Sequence, residues 1–263
     1  MTSLEQLATK ARNFHDLHAG PGILVMANAW DAASAQRIEA AGFPAIATTS
    51  GGVARALGYG DHETAPVEEM LAAAARIVRA VSVPVTVDFE AGYGLPPSEI
   101  ARRLIDIGAV GLNLEDTDHH GASGLVPADA QAERLAAVKR EARARGVDLF
   151  LNARVDVFFQ RGESVEAQLA EGLRRARLYR DAGADCIYPI GLSDPSAIHA
   201  LAKAAQVINV TVRRGGPLSL VDAAQAGARR ATYATSVFRE IMTALDQIAA
   251  DIRAAIPGAT PLP

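Results

Sequence analysis

One pattern recurs along this chain and limits what it can fold into. An Ala/Arg-rich amphipathic stretch ends in a glycine, and a short β-branched run follows within a few residues. It appears as EAAGFPAIA around Gly42, DIGAVGLNL around Gly108, DAGADCIYPI around Gly183 and QAGARRATY around Gly227. Glycine just past a helix accepts the left-handed conformation at no steric cost. Each instance therefore reads as helix, glycine cap, strand.

Extended over the chain, the reading places strands at 23–26, 45–48, 84–87, 110–114, 149–153, 185–188, 207–210 and 230–233. Helices fall near 31–41, 66–80, 97–107, 129–145, 164–182, 194–205 and 218–226, with a further helix near 235–255 after the last strand. Pro66 and Pro97 sit in first turns, where proline is tolerated. Eight apolar strands alternating with helices imply parallel pairing and right-handed crossovers. Eight strands close a barrel, so the expected fold is an α/β (β/α)₈ TIM barrel with an extra C-terminal helix. The alternative is an open doubly wound sheet, but no G-x-G-x-x-G follows the first strand. The 263 residues suit one such domain spanning 1–263, with no boundary or low-complexity tract. Apolar residues make up 49% of the chain and aromatics only 5%, so the core is built from Ala, Val, Leu and Ile.

A net charge of −4 gives no basic field for nucleic acid. Cys186 is the single cysteine, so no internal disulfide forms, which fits a reducing cytosol. The N-terminal MTSLEQLATKARNF is polar and helix-like, and no run approaches the roughly 18 apolar residues that span a bilayer. The expected location is cytoplasmic, without membrane or nucleic-acid partners.

In such a barrel, active residues gather at the C-terminal ends of the strands. Those ends carry Asn28 to Asp31, Thr49-Ser50-Gly51-Gly52, Asp88 and Glu90, Glu115-Asp116, Asn152 to Asp156, Tyr188 and Asn209. Asp88 and Glu90 are two apart on one strand and share a face, and Glu115 ends the next strand. Carboxylates this close repel unless a cation compensates, and a hard cation with oxygen ligands means Mg²⁺, with Mn²⁺ as the substitute. The alternative is that the three acids pair with Arg154 and backbone amides. Thr49-Ser50-Gly51-Gly52 reads either as a backbone cradle for an anion or as an ordinary turn. Arg154 reads as a clamp on a substrate carboxylate or as an ion-pair partner.

Absences narrow the chemistry. Lys10, Lys139 and Lys203 are the only lysines and all fall in expected helices, which argues against a Schiff-base aldolase. Cys186 lies in an apolar run and reads as an inert core thiol. Trp30 reads as packing, and Arg213-Arg214-Gly215-Gly216 as a polar loop. The long connections are 50–65 and 116–128, and His119 and His120 lie in the second of them.

These residues carry a family likeness. Ser50-Gly51-Gly52, Val87-Asp88-Phe89-Glu90-Ala91-Gly92-Tyr93-Gly94, Leu114-Glu115-Asp116 and Asn152-Ala153-Arg154-Val155-Asp156 resemble the isocitrate lyase/phosphoenolpyruvate mutase superfamily in order and spacing. The resemblance implies Mg²⁺ at Asp88, with Glu90 and Glu115 supporting directly or through water. It marks Asp61 as the family's loop aspartate after the second strand. It gives Ser50, Gly51, Gly52 and Arg154 the substrate's carboxylate and oxo oxygens. It also implies tetramers that exchange the C-terminal helix. The chain departs from the family after Glu115-Asp116. Lyases there carry a K-[KR]-C-G-H loop, and phosphonopyruvate-handling members a lysine. This chain has Thr117-Asp118-His119-His120-Gly121-Ala122-Ser123-Gly124-Leu125-Val126-Pro127, with neither.

The expected catalytic residues are Asp61, Glu115, Arg154 and His120, with Ser50, Gly51, Gly52, Asp88, Arg154 and Asn209 on the substrate. The implied reaction is cleavage beside a 2-oxo or 2-hydroxy acid through a metal-bound enolate. Without the loop cysteine, an oxaloacetate-decarboxylase-like reaction needs the least machinery. The alternatives are a methylisocitrate-type lyase, C–P chemistry on phosphonopyruvate, and a non-catalytic 2-oxo-acid-binding protein.

Overall fold

A computed structural model describes residues 3–121, 124–160 and 162–257. Helix α1 (Leu4–Ala19) opens the chain behind a Ser3–Gln6 capping box. There follow β1 (Leu24–Met26), β2 (Asn28–Ala29), α2 (Ala32–Ala40), β3 (Ile46–Thr48), α3 (Ser50–Ala56), α4 (Val67–Ala80), β4 (Val85–Asp88), α5 (Pro97–Asp106) and β5 (Gly111–Glu115). The second half runs α6 (Ala128–Ala144), β6 (Phe150–Val155), a 3₁₀ turn (Val157–Phe159), α7 (Val165–Asp181), β7 (Cys186–Pro189), α8 (Pro195–Ala205), β8 (Asn209–Thr211), α9 (Leu220–Gln225), β9 (Arg230–Thr232) and α10 (Ser236–Ala254).

All the strands pair in parallel. Pairing runs β2-β3-β4-β5-β6-β7 and, separately, β1-β9-β8. Consecutive β1 and β2 form one barrel staff interrupted at Ala27, and a parallel bridge between Ile187 and Ile208 joins β7 to β8. The ring therefore closes as an eight-staved (β/α)₈ barrel, as expected. Gly42, Gly108, Gly183 and Gly227 all have φ between 84° and 98°, the left-handed conformation that their sequence pattern requires. The core packs Leu104, Leu112, Leu135 and Leu151 between sheet and helices. No helix among the described residues is long and apolar enough to cross a membrane.

One expectation needs correction. The segment after β3 is not irregular from residue 50. Ser50–Ala56 forms α3, capped by Thr49, whose hydroxyl accepts from the Gly52 amide at 3.4 Å. Two glycines weaken a helix by about 1 kcal/mol each. Here space overrides propensity, because a Cβ at Gly52 would lie 2.6 Å from Thr49 Cγ2 and one at Gly51 would collide with Asp61 and Arg55.

Candidate active site

A cavity of about 260 Å³ opens at the C-terminal ends of the strands. Ser50, Asp61, Asp88, Glu90, Glu115 and Arg154 line it together. A wider hollow of about 570 Å³ lies at the opposite end, between α1 and Pro84, where Glu5 and Lys10 face solvent. It gathers no comparable set of buried charges.

Asp88 ends β4. Its Oδ2 accepts from the Ser50 amide at 3.1 Å and the Ser50 hydroxyl at 2.8 Å, and its Oδ1 accepts from Asn113 Nδ2 at 3.3 Å. Glu90 is buried in the loop that follows. Its Oε1 accepts from the Tyr93 hydroxyl at 2.5 Å, and its Oε2 from the Glu63 amide at 2.8 Å. Burial, reinforced by the charge of Asp88, holds Glu90 above the usual carboxylate range despite those donors.

Glu115 ends β5 and is 1% exposed. Its Oε1 lies 2.5 Å from His119 Nε2. Its Oε2 lies 2.5 Å from Arg154 Nη1, a close ion pair without hydrogen-bond alignment, so Oε2 has no hydrogen-bond partner among the described residues. Burial pushes Glu115 up to about 7, against the pull of Arg154 and His119. Burial also pulls His119 down, but the bond to Glu115 and its charge win, and the imidazole stands above its ordinary value. Arg154 is held bidentately by Asp156, with both N–O distances at 2.7 Å. Asp156 in turn accepts from Thr117, and its amide donates to Asp116, which Arg175 and Tyr179 anchor.

Several expected residues are therefore brought together and others are not. Asp61 faces the cavity beside Arg55, at 3.4 Å. Gly51 and Gly52 sit in the first turn of α3, where their lack of side chains makes room, rather than in an open cradle. Arg154 lines the cavity, but carboxylates already occupy its guanidinium. Asn209 lies below the cavity, bonded to Thr232 at 3.2 Å. His120 is not on the cavity wall. Its ring is 71% exposed and meets Glu63 Oε2 at 3.1 Å. The histidine that reaches the acids is its neighbour His119. Ala122 and Ser123 of that loop lie outside the described residues.

The acids expected to bind metal share the cavity without converging. Among the described residues no three His, Cys, Asp or Glu side chains form a metal-sized cluster. Tyr93 and Glu63 occupy Glu90, while Arg154 and His119 occupy Glu115. The donor set still fits Mg²⁺ in its usual form, held by one or two carboxylates and retaining several waters. Asp88 would be the direct ligand, with Asp61, Glu90 and Glu115 reached through water.

The sequence reading missed Asn113, Arg239 and His62 on the cavity wall. Strand parity would have found Asn113, two residues before Glu115 on the same face. Arg213 and Arg239 stand on the rim, opposite the acids. Strain also marks the site. His62, Glu63, Glu90, Tyr93 and Ala234 hold positive φ without being glycine, and all five belong to loops at this end of the barrel.

The chain matches the family model described as phosphoenolpyruvate phosphomutase over residues 14–253. It is 35% identical over 191 residues to an uncharacterised protein of Mycobacterium tuberculosis, covering 73% of this chain and 70% of that one. It is 31% identical over 233 residues to the 2-methylisocitrate lyase of Salmonella typhimurium, covering 84% and 76%. A solved structure from Burkholderia cenocepacia J2315, described provisionally as a phosphonomutase, superposes with a TM-score of 0.84 at 39% identity, covering 91% of this chain and 98% of that one.

Proposed function

The chain belongs to the phosphoenolpyruvate mutase/isocitrate lyase superfamily, and from that premise we propose that it cleaves a carbon–carbon bond in a small 2-oxo dicarboxylic acid, with oxaloacetate decarboxylation as its reaction. One observation carries the reading. The cavity is lined by Asp88, held by Ser50, and by Glu115, which His119 backs, while Arg213 and Arg239, without an ion pair among the described residues, line the opposite rim. The acidic side suits a cation, and the basic rim suits a second carboxylate.

Mg²⁺, when bound, supplies a Lewis acid for the 2-oxo oxygen. The Ser50 amide and hydroxyl hold Asp88 Oδ2 in place beside the substrate's 1-carboxylate and oxo group. Arg154, locked by Asp156, presents a fixed positive charge to the same oxygens. Arg213 and Arg239 hold the distal carboxylate until it leaves. The C3–C4 bond breaks, CO₂ departs, and the electron pair moves onto the C2 oxygen. The Glu115–His119 pair holds a proton near neutral pH and delivers it to C3, giving pyruvate.

The cavity wall, among the described residues, carries no lysine or cysteine. Decarboxylation needs only an electron sink at the cleavage step, whereas a retro-aldol reaction also needs a base there, a part that the Glu115–His119 pair would have to fill. The second reading is a methylisocitrate-type lyase, supported by the likeness to the Salmonella protein over 84% of this chain. The test is a turnover screen with Mg²⁺ over oxaloacetate, 2-methylisocitrate and phosphonopyruvate. Equimolar pyruvate and CO₂ from oxaloacetate is the expected result. Turnover confined to 2-methylisocitrate would replace the decarboxylase with the lyase. We further infer that the exposed apolar face of α10 is covered by a second copy of the chain, giving a homo-oligomer.

A further inference from the structure

Below the acidic cavity the barrel holds a charge that the proposed reaction does not use. Arg230 opens β9 and is 0% exposed. Thr232, two residues on along the same strand, lines the cavity, so Arg230 also points into the barrel, one layer deeper. Its Nε, Nη1 and Nη2 have no hydrogen-bond partner among the described residues. A guanidinium removed from water and left unpaired is costly, so its neighbourhood must offset it.

Two orphaned oxygens face the same interior. They are Asn152 Oδ1 and Thr86 Oγ1, each two residues before a cavity residue, Arg154 and Asp88 respectively. Gly111, paired with Thr86 and Phe150, carries no side chain into this layer. A Cβ there would stand 2.6 Å from the Phe150 carbonyl oxygen and 3.2 Å from Thr86 Oγ1.

The direction of the amides is informative. Asn152 Nδ2 donates to Asn113 Oδ1 at 2.8 Å, and Asn113 Nδ2 donates to Asp88 Oδ1 at 3.3 Å. Two side-chain amides thus run head to tail up the barrel, with a carboxylate at the accepting end. The end left over is an acceptor, Asn152 Oδ1. A guanidinium, which only donates, is the group that would complete such a chain. The orphaned set mixes donors on Arg230 with the oxygens of Asn152 and Thr86, and His18 Nε2, whose ring feels the Arg230 charge, is unpartnered as well. Water satisfies both kinds, whereas an anion would satisfy the donors alone.

We propose that Arg230 is the buried counter-charge of Asp88, joined through ordered water to Asn152 and from there through Asn113 to the carboxylate. Arg230 is then a positioning residue. Its charge polarises the amide chain toward Asp88 and opposes any cation that Asp88 holds. The interaction runs both ways. Burial pulls Arg230 below its ordinary value, and Cys186 and Tyr188, then Asp88, push back.

The inference rests on the reading that Asp88 holds a divalent cation. The test is Mn²⁺ affinity, measured by titration calorimetry on the full chain and on Arg230→Gln, Arg230→Met and Arg230→Lys. Removing the charge should tighten Mn²⁺ binding on the order of tenfold, the effect of one unit charge at intermediate distance. Arg230→Lys should stay close to the unaltered protein. Damage to packing has the opposite sign, because it would loosen the site. Unchanged or weaker binding in the neutral variants overturns the inference, as does equal tightening in the lysine variant. If both neutral variants fail to fold by circular dichroism, Arg230 is structural and the inference falls. Absence of Mn²⁺ binding by the unaltered protein defeats the reading of the cavity as well. Binding that ignores Arg230 defeats this inference alone.

Discussion

The Nε2 of His119 lies 2.5 Å from the Oε1 of Glu115, and the two side chains are 6% and 1% exposed. His120, one residue later, is 71% exposed and points at Glu63. The two histidines therefore make a controlled comparison. If the reaction is decarboxylation, the proton reaches C3 after the bond has broken, and water can replace the pair. His119→Gln should then slow oxaloacetate turnover by about tenfold or less. If the enzyme is a lyase, acid/base chemistry accompanies cleavage, and the same change should cost roughly 10²–10⁴-fold on 2-methylisocitrate. His120→Gln should be near neutral in kcat/KM on either substrate. A larger loss from His120→Gln than from His119→Gln would show the pair to be misassigned.

Asp88→Asn should abolish Mg²⁺-dependent turnover, by on the order of 10³-fold, because several kcal/mol of charge stabilisation go with the cation. The fold should survive. Asp88 shares the cavity with Glu90 and Glu115, so relief of like-charge repulsion offsets part of what is lost with the Ser50 and Asn113 bonds and with the counter-charge to Arg230. Melting temperature and Mn²⁺ titration together check this. An Asp88→Asn protein that binds Mn²⁺ as well as the parent would move the cation site elsewhere.

The glycine-capped strands made the barrel legible in the chain itself, because glycine past a helix and a β-branched run are both local signals. What stayed hidden depends on contacts between distant segments. Ser50-Gly51-Gly52 reads as a turn on propensity, yet it forms the first turn of α3 because Thr49 caps it and Asp61 packs against it. Which of two adjacent loop histidines faces inward is set by the path of the loop, to which neither residue's identity testifies. Arg154 reads as a clamp before it reads as an ion-pair partner, and the placement of Asp156 two residues on, just past the end of the same strand, decides how its guanidinium is held.

Gly51→Ala puts a methyl group against the Asp61 carboxylate and the Arg55 guanidinium. Both partners are side chains in a loop, so the expected cost in stability is small, about 1 kcal/mol. The expected cost in activity is larger, because Asp61 must move from the cavity wall. Gly52→Ala meets Thr49 Cγ2 at 2.6 Å and Trp30 Cβ at 3.1 Å, in the packed base of α3. It should destabilise by roughly 1–3 kcal/mol. Urea melts of the two variants, set beside their turnover, would show whether the two glycines divide this way.

Stability should also fall on mild acidification, through His18. Its ring stacks on Phe150 with centroids 3.9 Å apart, and its Nδ1 bonds to the Phe14 carbonyl at 2.8 Å. Burial first, and then the charge of Arg230, holds it down at about 3, from an ordinary 6.5. A histidine depressed in the folded state takes up its proton in the unfolded state first. Its contribution is therefore fully present above pH 6.5 and is lost progressively as pH falls toward 3. The slope approaches about 1.4 kcal/mol per pH unit. His18→Leu should flatten the decline between pH 6.5 and 5, as read by denaturant unfolding. An unchanged slope would place the acid sensitivity on other groups.

Ile241, Leu245, Ile248 and Ile252 are between 48% and 64% exposed, and their spacing of four, three and four places them along one face of α10. The start of the same helix is docked, with Phe238 buried edge-on against Trp30 at 5.4 Å. The helix is thus anchored at the barrel mouth and leaves an apolar stripe uncovered along the rest of its length. Burying each such side chain is worth about 1.5–3 kcal/mol, so the stripe as a whole favours association strongly. A second copy of the chain presents the same stripe, and closed symmetric pairing covers both at once. Light scattering at micromolar concentration should report an oligomer, with a tetramer the expected mass. Leu245→Asp combined with Ile248→Asp should lower that mass while leaving the circular dichroism of the barrel intact. A monomeric mass for the unaltered chain would mean that the stripe is covered by something other than a second copy.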